Sequence, residues 1–203
     1  MKSITTAVVQ IQGVTPYSPS RNYTADVPKL KDEPADGYDE RTWRNHAHVD
    51  ASGKIYIPGE CFAWCVKAMS KRRSDRIPGK GQKTYTAAFD PIEVVGDVAT
   101  DAHKDTVRME SFMANSDGKR GGGSRVLRRF PIVDGSAWRG ELVFLMWDVR
   151  IPEAVFRETI EDAGLLIGVG RRRPEKLGPF GRFQVTSLKW NERVDASSVL
   201  GLS

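Results

Sequence analysis

The sequence predicts an α+β fold, in which two helices cover one face of an antiparallel sheet. Two stretches, 58–73 and 151–164, carry apolar side chains at helical spacing, and each has a proline in its first two positions. Stretches with the composition of strands lie before, between and after them. With 203 residues, 39% of them hydrophobic, the chain is long enough to bury a core.

In the first half of the chain, the first strand is expected at 3–14, where apolar and polar side chains alternate. An excursion follows at 15–45, with four prolines, many charges and no apolar periodicity. A short hairpin around a DASG turn is expected at 46–60. The first helix, 58–73, comes next, and its apolar face consists of Phe62, Cys65, Val66 and Met69.

The second half should hold the remaining strands and the second helix. The stretch 138–149 contains the run LVFLMW, which predicts a central strand buried on both faces. Gly164 is expected to cap the C-terminus of the second helix. The other strands are expected at 89–100, 106–117, 125–134 and 182–194, and the tail after them should fray.

The predicted elements follow the order strand, helix, two or more strands, helix, strand. This is the βαββαβ order of a ferredoxin-like or RRM-like core with an antiparallel sheet. We therefore expect a single domain over 1–203, with long insertions at about 15–54 and 101–130.

The composition excludes several classes of protein. No run approaches 18 consecutive apolar residues, so neither a membrane span nor a membrane partner is expected. The N-terminus does not resemble a signal peptide, and Cys61 and Cys65 are the only cysteines, which predicts reduced thiols in the cytoplasm. Their spacing does not match a zinc motif, and neither a metal nor a cofactor is expected.

The distribution of charge indicates a polyanionic partner. The net charge is only +5, but basic side chains are concentrated at 67–83 and 118–129, while 31–41 is acidic overall. A surface that serves only solubility usually mixes the two signs. Clustered cations therefore predict binding to a polyanion, with nucleic acid as the first candidate.

The stretch GVGRRRPEKLGPFGRF at 168–183 places four glycines and five basic side chains before the last strand. It is not a dinucleotide-binding fingerprint, because Arg173 stands at the third glycine position and a helix precedes it. Glycines permit positive φ and allow amide groups to approach phosphates closely. We expect an anion-binding loop with exposed arginines, and the alternative is a solvated basic turn.

This loop carries a resemblance to a known family. Gly168, Gly170, Gly178, Gly181 and Arg182 match the glycine-rich, basic loop that precedes the last strand in the RAMP superfamily of CRISPR-type RNA-binding proteins. The first helix resembles the family's IPG helix start, with Pro58 and Gly59 in place. The resemblance covers roughly 1–14 and 55–194, and the segment 15–45 matches nothing in it.

Within the superfamily, the chain looks most like a compact backbone subunit of a CRISPR effector complex, or a viral relative of one. The resemblance implies a protein that binds single-stranded RNA or DNA, assembles with copies of itself along its ligand and contacts other subunits of the complex. It also implies a projecting β-hairpin, the thumb, and the stretch 101–130 lies in the matching place. Phe112 and Met113 are candidates for wedging between bases, with core packing as the alternative for both.

The predicted contacts to nucleic acid fall in three parts of the sequence: the end of the first helix, the thumb and the glycine-rich loop. They are Lys71, Arg72, Arg73, Arg76, Lys119, Arg120, Arg125, Arg128, Arg129, Gly168, Gly170, Arg171, Arg172, Arg173, Lys176, Gly181 and Arg182.

Other functions stay open at this point. A metal-independent endoribonuclease would need a histidine as general base, and the chain offers His46 and His48, expected on one side of an extended segment, and His103. The resemblance also leaves open a subunit that cuts target RNA with an aspartate in the thumb, and Asp101, Asp105 and Asp117 are the candidates. A phage single-stranded DNA-binding protein and an inhibitory mimic that caps a host CRISPR complex are further alternatives. We expect binding without catalysis, and no catalytic residue is assigned.

Overall fold

A computed structural model describes residues 3–115 and 124–195 of the chain. The described residues form nine strands and four α-helices. In chain order these are β1 (Ser3–Gly13), α1 (Ala35–Thr42), β2 (His48–Val49), β3 (Lys54–Ile57), α2 (Gly59–Arg73), α3 (Thr86–Phe89), β4 (Glu93–Val95), β5 (Val98–His103), β6 (Arg108–Asn115), β7 (Arg125–Ile132), β8 (Arg139–Met146), α4 (Glu153–Asp162) and β9 (Phe183–Asp195).

The largest sheet has the strand order β4-β8-β1-β9, and all of its neighbouring strands are antiparallel. Helices α2 and α4 pack against each other, and both contribute to the hydrophobic core that includes this sheet. Phe156 of α4 meets Phe144 of β8 edge-on, with ring centroids 5.3 Å apart. Phe62 of α2 meets Phe183 of β9 in the same way, also at 5.3 Å. The predicted α+β class with antiparallel sheets is confirmed.

Apolar periodicity located the central elements correctly. The four predicted apolar side chains of α2 are all buried. Strand β8 lies between β4 and β1, as the run LVFLMW predicted, and Leu142, Phe144, Leu145 and Met146 are buried. These elements form because their apolar spacing places one continuous stripe of side chains against the sheet.

The strand predicted at 89–100 is wrong as a single element. Its first residues end α3, and the remainder divides into β4 and β5, which belong to two different sheets. The chain turns between them at Gly96, whose φ is +94°. The next residue, Asp97, accepts a hydrogen bond from the backbone N–H of Gly59 at 2.9 Å. This turn therefore satisfies one of the free donors at the start of α2.

The predicted cap at Gly164 is also wrong. After α4 the chain continues as one π-helical turn, Ala163–Ile167, and leaves it at Gly168 with φ +71°. Gly164 lies against β9, where an added Cβ would stand 2.9 Å from the ring of Phe183. The position requires glycine for close packing, while Gly168 provides the positive φ that ends the helix.

The excursion is more ordered than its composition indicated. It contains α1, followed by a 3₁₀ turn at Trp43–His46. The ring of Tyr23 is buried, and its hydroxyl lies 2.8 Å from the hydroxyl of Thr42. Helix α1 packs against β7, in a two-stranded antiparallel sheet of β6 and β7 that is separate from the main sheet. We refer to β6 and β7 together as the ribbon.

Candidate nucleic-acid interface

The glycine-rich loop joins the π-helical turn to β9 and is held by its own backbone. The N–H of Val169 donates to the carbonyl of Gly181, and the N–H of Gly181 donates to the carbonyl of Pro16. The N–H of Arg171 donates to the carbonyl of Ser18 at 2.7 Å. The loop is thereby pinned to the beginning of the excursion, and these amide groups are not available to an anion.

The glycines of the loop lie against protein. A Cβ at Gly170 would stand 2.5 Å from the carbonyl oxygen of Ser18 and from the ring of Tyr17. A Cβ at Gly178 or Gly181 would overlap the carbonyl oxygen of Arg172 or Val169. Gly168 and Gly181 have positive φ as well. The glycines are therefore explained by the close packing of the loop on itself, which differs from the sequence interpretation that they leave room for phosphates.

The three consecutive arginines of this loop each lie over an aromatic ring. The guanidinium carbon of Arg171 is 3.9 Å from the ring centroid of Phe130. That of Arg172 is 4.8 Å from the ring of Phe112, and that of Arg173 is 4.3 Å from the ring of Trp64. Two of the arginines therefore contact the ribbon, while the third contacts α2. We call these three side chains the arginine fan.

The expectation that these arginines are exposed is wrong, since all three are half-buried. Arg172 lies 3.4 Å from a carboxylate oxygen of Glu110, and Arg173 lies 2.8 Å from one of Glu175. Arg173 also donates to the carbonyl of Gly170 at 3.1 Å. Stacking and pairing fix the guanidinium planes, so that little side-chain entropy is left to lose when they bind a ligand.

The other basic residues of this loop lie near its end. Lys176 is 63% exposed and stands 3.6 Å from Glu175. Arg182 donates to the carbonyls of Leu165 and Pro179 at 3.1 and 3.3 Å. Both remain candidates for contacts to phosphates, with Lys176 the more accessible.

The ribbon has two different faces. The ring of Phe112 stacks on Phe130 with 4.9 Å between centroids and an interplanar angle of 19°. Because Arg172 covers it as well, Phe112 packs within the molecule. Met113 points the other way and is 47% exposed, beside the exposed Met109 and Leu127. Of the two predicted base-wedging side chains, Met113 is the accessible one.

Helix α1 supplies carboxylates to the basic side chains of β7. The side chain of Arg129 lies 2.8 Å from Asp36, 3.5 Å from Asp39 and 3.9 Å from Glu40. Arg128 lies 3.7 Å from Asp39. The acidic stretch at 31–41 therefore offsets much of the positive charge in the predicted thumb. Arg125 is exposed, while Lys119, Arg120 and Asp117 lie outside the described residues.

Arg73 has a structural role at the end of α2. It pairs with Asp75, Glu158 and Asp162 at 2.5–2.7 Å, and these contacts connect α2 to α4. The hydrogen bonds to these carboxylates, with Asp75 first, raise the pKa of Arg73. The other predicted cations of this stretch are exposed, namely Lys71, Arg72 and Arg76, with Lys71 3.9 Å from Asp90.

Sequence reasoning missed Trp64. It lies on the outer face of α2 and is 43% exposed, although it is a large aromatic side chain. A cavity of about 300 Å³ lies beside it, lined also by Cys61, Gly168, Gly170 and Arg173. The signal in the sequence was a tryptophan on the polar side of an amphipathic helix, opposite the apolar face. Such a position offers a flat surface for stacking.

Burial shifts the pKa of several histidine and cysteine side chains. His46 lies in the 3₁₀ turn, and burial together with the positive charge of Arg171 lowers its pKa to about 4. His48 lies on β2, so the two do not share one extended segment as predicted. Burial raises the pKa of Cys61 to about 11 and that of Cys65 further. Both cysteines are free thiols.

Within residues 3–115 and 124–195, no cluster of three or more histidine, cysteine or acidic side chains is arranged to hold a metal ion. No helix in this part of the chain is long and apolar enough to cross a membrane.

Comparison with known proteins gives one kind of match. No protein-family model and no curated protein matches the chain. Among solved structures, 114 chains match, and one of them belongs to a cryo-electron microscopy structure of the type III-B Cmr-beta complex bound to cognate target RNA. That alignment has 13% identity and a TM-score of 0.42, and it covers 94% of this chain. This chain spans 61% of the length of the matched one.

Proposed function

We propose that this protein binds single-stranded RNA, without cutting it, as a backbone-type subunit of a CRISPR-type ribonucleoprotein. The observation that carries the proposal is the arginine fan, in which Arg171, Arg172 and Arg173 are held over aromatic rings on three different elements. Fixed guanidinium planes pair well with phosphates. The glycine-rich motif that resembles the RAMP superfamily lies in the same loop.

The arrangement of the sheet agrees with a RAMP-like core. The elements β1, α2, β4, β8, α4 and β9 follow one another in the chain in the βαββαβ order. Their strands lie in the order β9-β1-β8-β4, with both helices in the adjoining core. We assign these elements to a ferredoxin-like core, into which the excursion and the ribbon are inserted.

Single strands are the favoured ligand because base stacking is available next to the cationic loop. The exposed ring of Trp64 stands beside Arg173 and the first residues of the loop. Stacking of a base on an aromatic side chain contributes about 1–3 kcal/mol and needs an unpaired base. A duplex hides the faces of its bases, and it would gain only the contacts to phosphates.

Binding without cleavage is the proposal because the one histidine beside the arginines is a poor base. The ring of His46 lies between Tyr23 and Phe130, at 4.7 and 4.6 Å between centroids. With a pKa of about 4, it accepts a proton too weakly to serve as an efficient general base near neutral pH. Incubation of the protein with labelled RNA, followed by gel analysis, tests this part directly.

Assembly along the ligand is supported by the outer face of the ribbon. Met109, Met113 and Leu127 are all exposed on that face, at 44, 47 and 40%. Exposed apolar side chains gathered on one face favour contact with another protein surface. We propose that this face meets a second copy of the chain on the same strand of RNA.

Fluorescence anisotropy with a labelled 30-nucleotide RNA tests the proposed binding. If about five phosphates are contacted, the log–log dependence of affinity on salt should have a slope near −3 to −4. Trp64→Ala should weaken binding by a factor of about 10, whereas Leu177→Ala, which removes an exposed apolar side chain from the loop, should change it little. Affinity independent of salt, or equal losses in the two variants, would contradict the proposal. Competition with DNA of the same sequence and with duplex RNA measures the preference among ligands.

A further inference from the structure

A second cavity, of about 560 Å³, lies where the excursion, α1, the ribbon and the glycine-rich loop meet. Ser20, Arg21 and Lys29 line it from the excursion, Arg128 from the ribbon and Arg171 from the loop. Its volume is in the range of small-molecule binding sites. The excursion, which has no counterpart in the family resemblance, forms one of its walls.

The charges around this cavity are unbalanced. Among residues 3–115 and 124–195, four cations line it, Arg21, Lys29, Arg128 and Arg171, and Asp39 is the one lining carboxylate. Asp39 is already occupied, since it accepts the backbone N–H of Arg129 at 2.9 Å and lies within 4 Å of the side chains of both Arg128 and Arg129. Arg21 is paired with Asp26, which lies outside the lining.

Arg171 lies over the ring of Phe130, but its Nε is buried and has no hydrogen-bond acceptor among residues 3–115 and 124–195. Burial, followed by the positive charge of Arg128, lowers the pKa of Arg171. A guanidinium does not lose its proton in a protein. An anion in the cavity would therefore offset the cost of burying the positive charge of Arg171.

The cavity lies close to the surface around Trp64. Ser20 lines both cavities, and the loop residues Gly170 and Arg171 separate them, with Arg173 on the side of Trp64. A single strand that passes over Ser20 would therefore reach both.

We propose that this cavity takes one nucleotide of the bound strand, with its phosphate against Arg171 and Arg128. This inference rests on the proposed function, and it adds a defined site formed partly by the excursion. A phosphate accepts several charge-assisted hydrogen bonds from guanidinium groups at once and would neutralise the two neighbouring positive charges. The cavity volume leaves room for the sugar and base in addition to the phosphate.

The test uses the full chain and two small probes, adenosine 5′-monophosphate and adenosine, titrated by ³¹P and ¹H NMR. The monophosphate should bind one site, and adenosine should bind at least 10-fold more weakly. Arg171→Met, which keeps a side chain over Phe130 but removes the charge, should weaken binding of the monophosphate at least 10-fold. Lys29→Met should weaken it about 3-fold or more. The matched control is Lys189→Met, in an exposed cation on β9 outside the cavity, and it should have less than a 2-fold effect.

The outcomes separate this inference from the proposed function. If the parent protein binds the 30-nucleotide RNA but not the monophosphate, or if Lys189→Met loses as much affinity as the cavity variants, the cavity is not the site and the proposed function stands. If the parent binds neither ligand, both proposals fail. Should Arg171→Met not fold, Lys29→Met decides the question, because Lys29 is exposed and its side chain can be changed without opening the core.

Discussion

The carboxylate of Asp39 accepts a hydrogen bond from the backbone N–H of Arg129 at 2.9 Å, and the Asp39 side chain is only 2% exposed. Through this bond α1 satisfies a backbone donor at the outer edge of β7. An open edge strand with unpaired N–H groups is prone to pair with other chains, so α1 also protects this edge. The helix is thus fixed to the ribbon by one buried acceptor.

Removing that acceptor should destabilise the protein. Asp39→Ala leaves the N–H of Arg129 and the guanidinium group of Arg128 without their carboxylate, and we expect the free energy of unfolding to fall by about 2–4 kcal/mol. Glu40→Ala is the control, because Glu40 is 71% exposed and 3.9 Å from the same arginine. It should cost less than about 0.5 kcal/mol. Urea denaturation of both variants measures the difference. Equal losses of unfolding free energy would show that the hydrogen bond to Asp39 contributes no more than the exposed ion pair of Glu40.

Helix α1 was not predicted from the sequence, and its composition explains why. Its sequence, ADGYDERT, has almost no apolar side chain to give a helical period, and the helix depends on contacts with β7, about 90 positions further along the chain. By contrast, α2 and β8 carry their own apolar pattern and were predicted with nearly the right bounds. Local pattern predicts elements that bury an apolar stripe of their own, whereas it does not predict one held by polar contacts to a distant strand.

The candidate site was also predicted only in part. The glycine-rich loop was located from composition alone, but the ring beneath each arginine is far away in the sequence. Trp64 precedes Arg173 by more than 100 positions, and their contact arises only because α2 and the loop lie side by side. The sequence therefore predicted which loop is cationic, and the stacking that orients its arginines required the fold.

Replacing a glycine with alanine should lower the stability of the protein by an amount that depends on the surroundings of that glycine. Gly79 has φ +70° and nothing within 4 Å of an added Cβ, so Gly79→Ala should cost about 1 kcal/mol from backbone strain alone. Gly170 has φ +77°, and its added Cβ would also meet Ser18 and Tyr17 at 2.5 Å. Gly170→Ala should therefore cost about 1–3 kcal/mol more than Gly79→Ala. Thermal unfolding of both variants tests this, and equal melting temperatures would contradict the packing shown by the structure.

The stability of the protein should fall as the pH is lowered from about 6.5 toward 4, partly because of His46. The pKa of His46 is about 4 in the folded protein, below the ordinary value of 6.5, so the unfolded chain binds the proton more readily in this interval. Between pH 7 and pH 5 this histidine alone should remove about 2 kcal/mol of unfolding free energy. His46→Gln should lack this part of the pH dependence, whereas His103→Gln, at the end of β5, should keep it. Denaturant titrations at both pH values give the comparison.

The arginine fan should serve binding and folding together. Changing Arg171, Arg172 and Arg173 together to alanine removes three cations and also their packing over Phe130, Phe112 and Trp64. We expect affinity for single-stranded RNA to fall at least 10-fold, and the salt slope to become shallower by about 2, since each lost contact contributes about 0.7. The free energy of unfolding should fall by about 1–3 kcal/mol, because each stacked guanidinium contributes about 0.5–1 kcal/mol.

Two comparison variants separate these two effects. The same three arginines changed to methionine keep apolar contact with the rings, so they should lose affinity to a similar extent while recovering part of the stability. The second comparison variant changes Lys71, Arg72 and Arg76 together to alanine. It removes three exposed cations from the end of α2, and its melting temperature should stay nearly constant. If that second triple variant loses RNA binding while the fan variants retain it, the end of α2 is the binding surface, and the glycine-rich loop only connects α4 to β9.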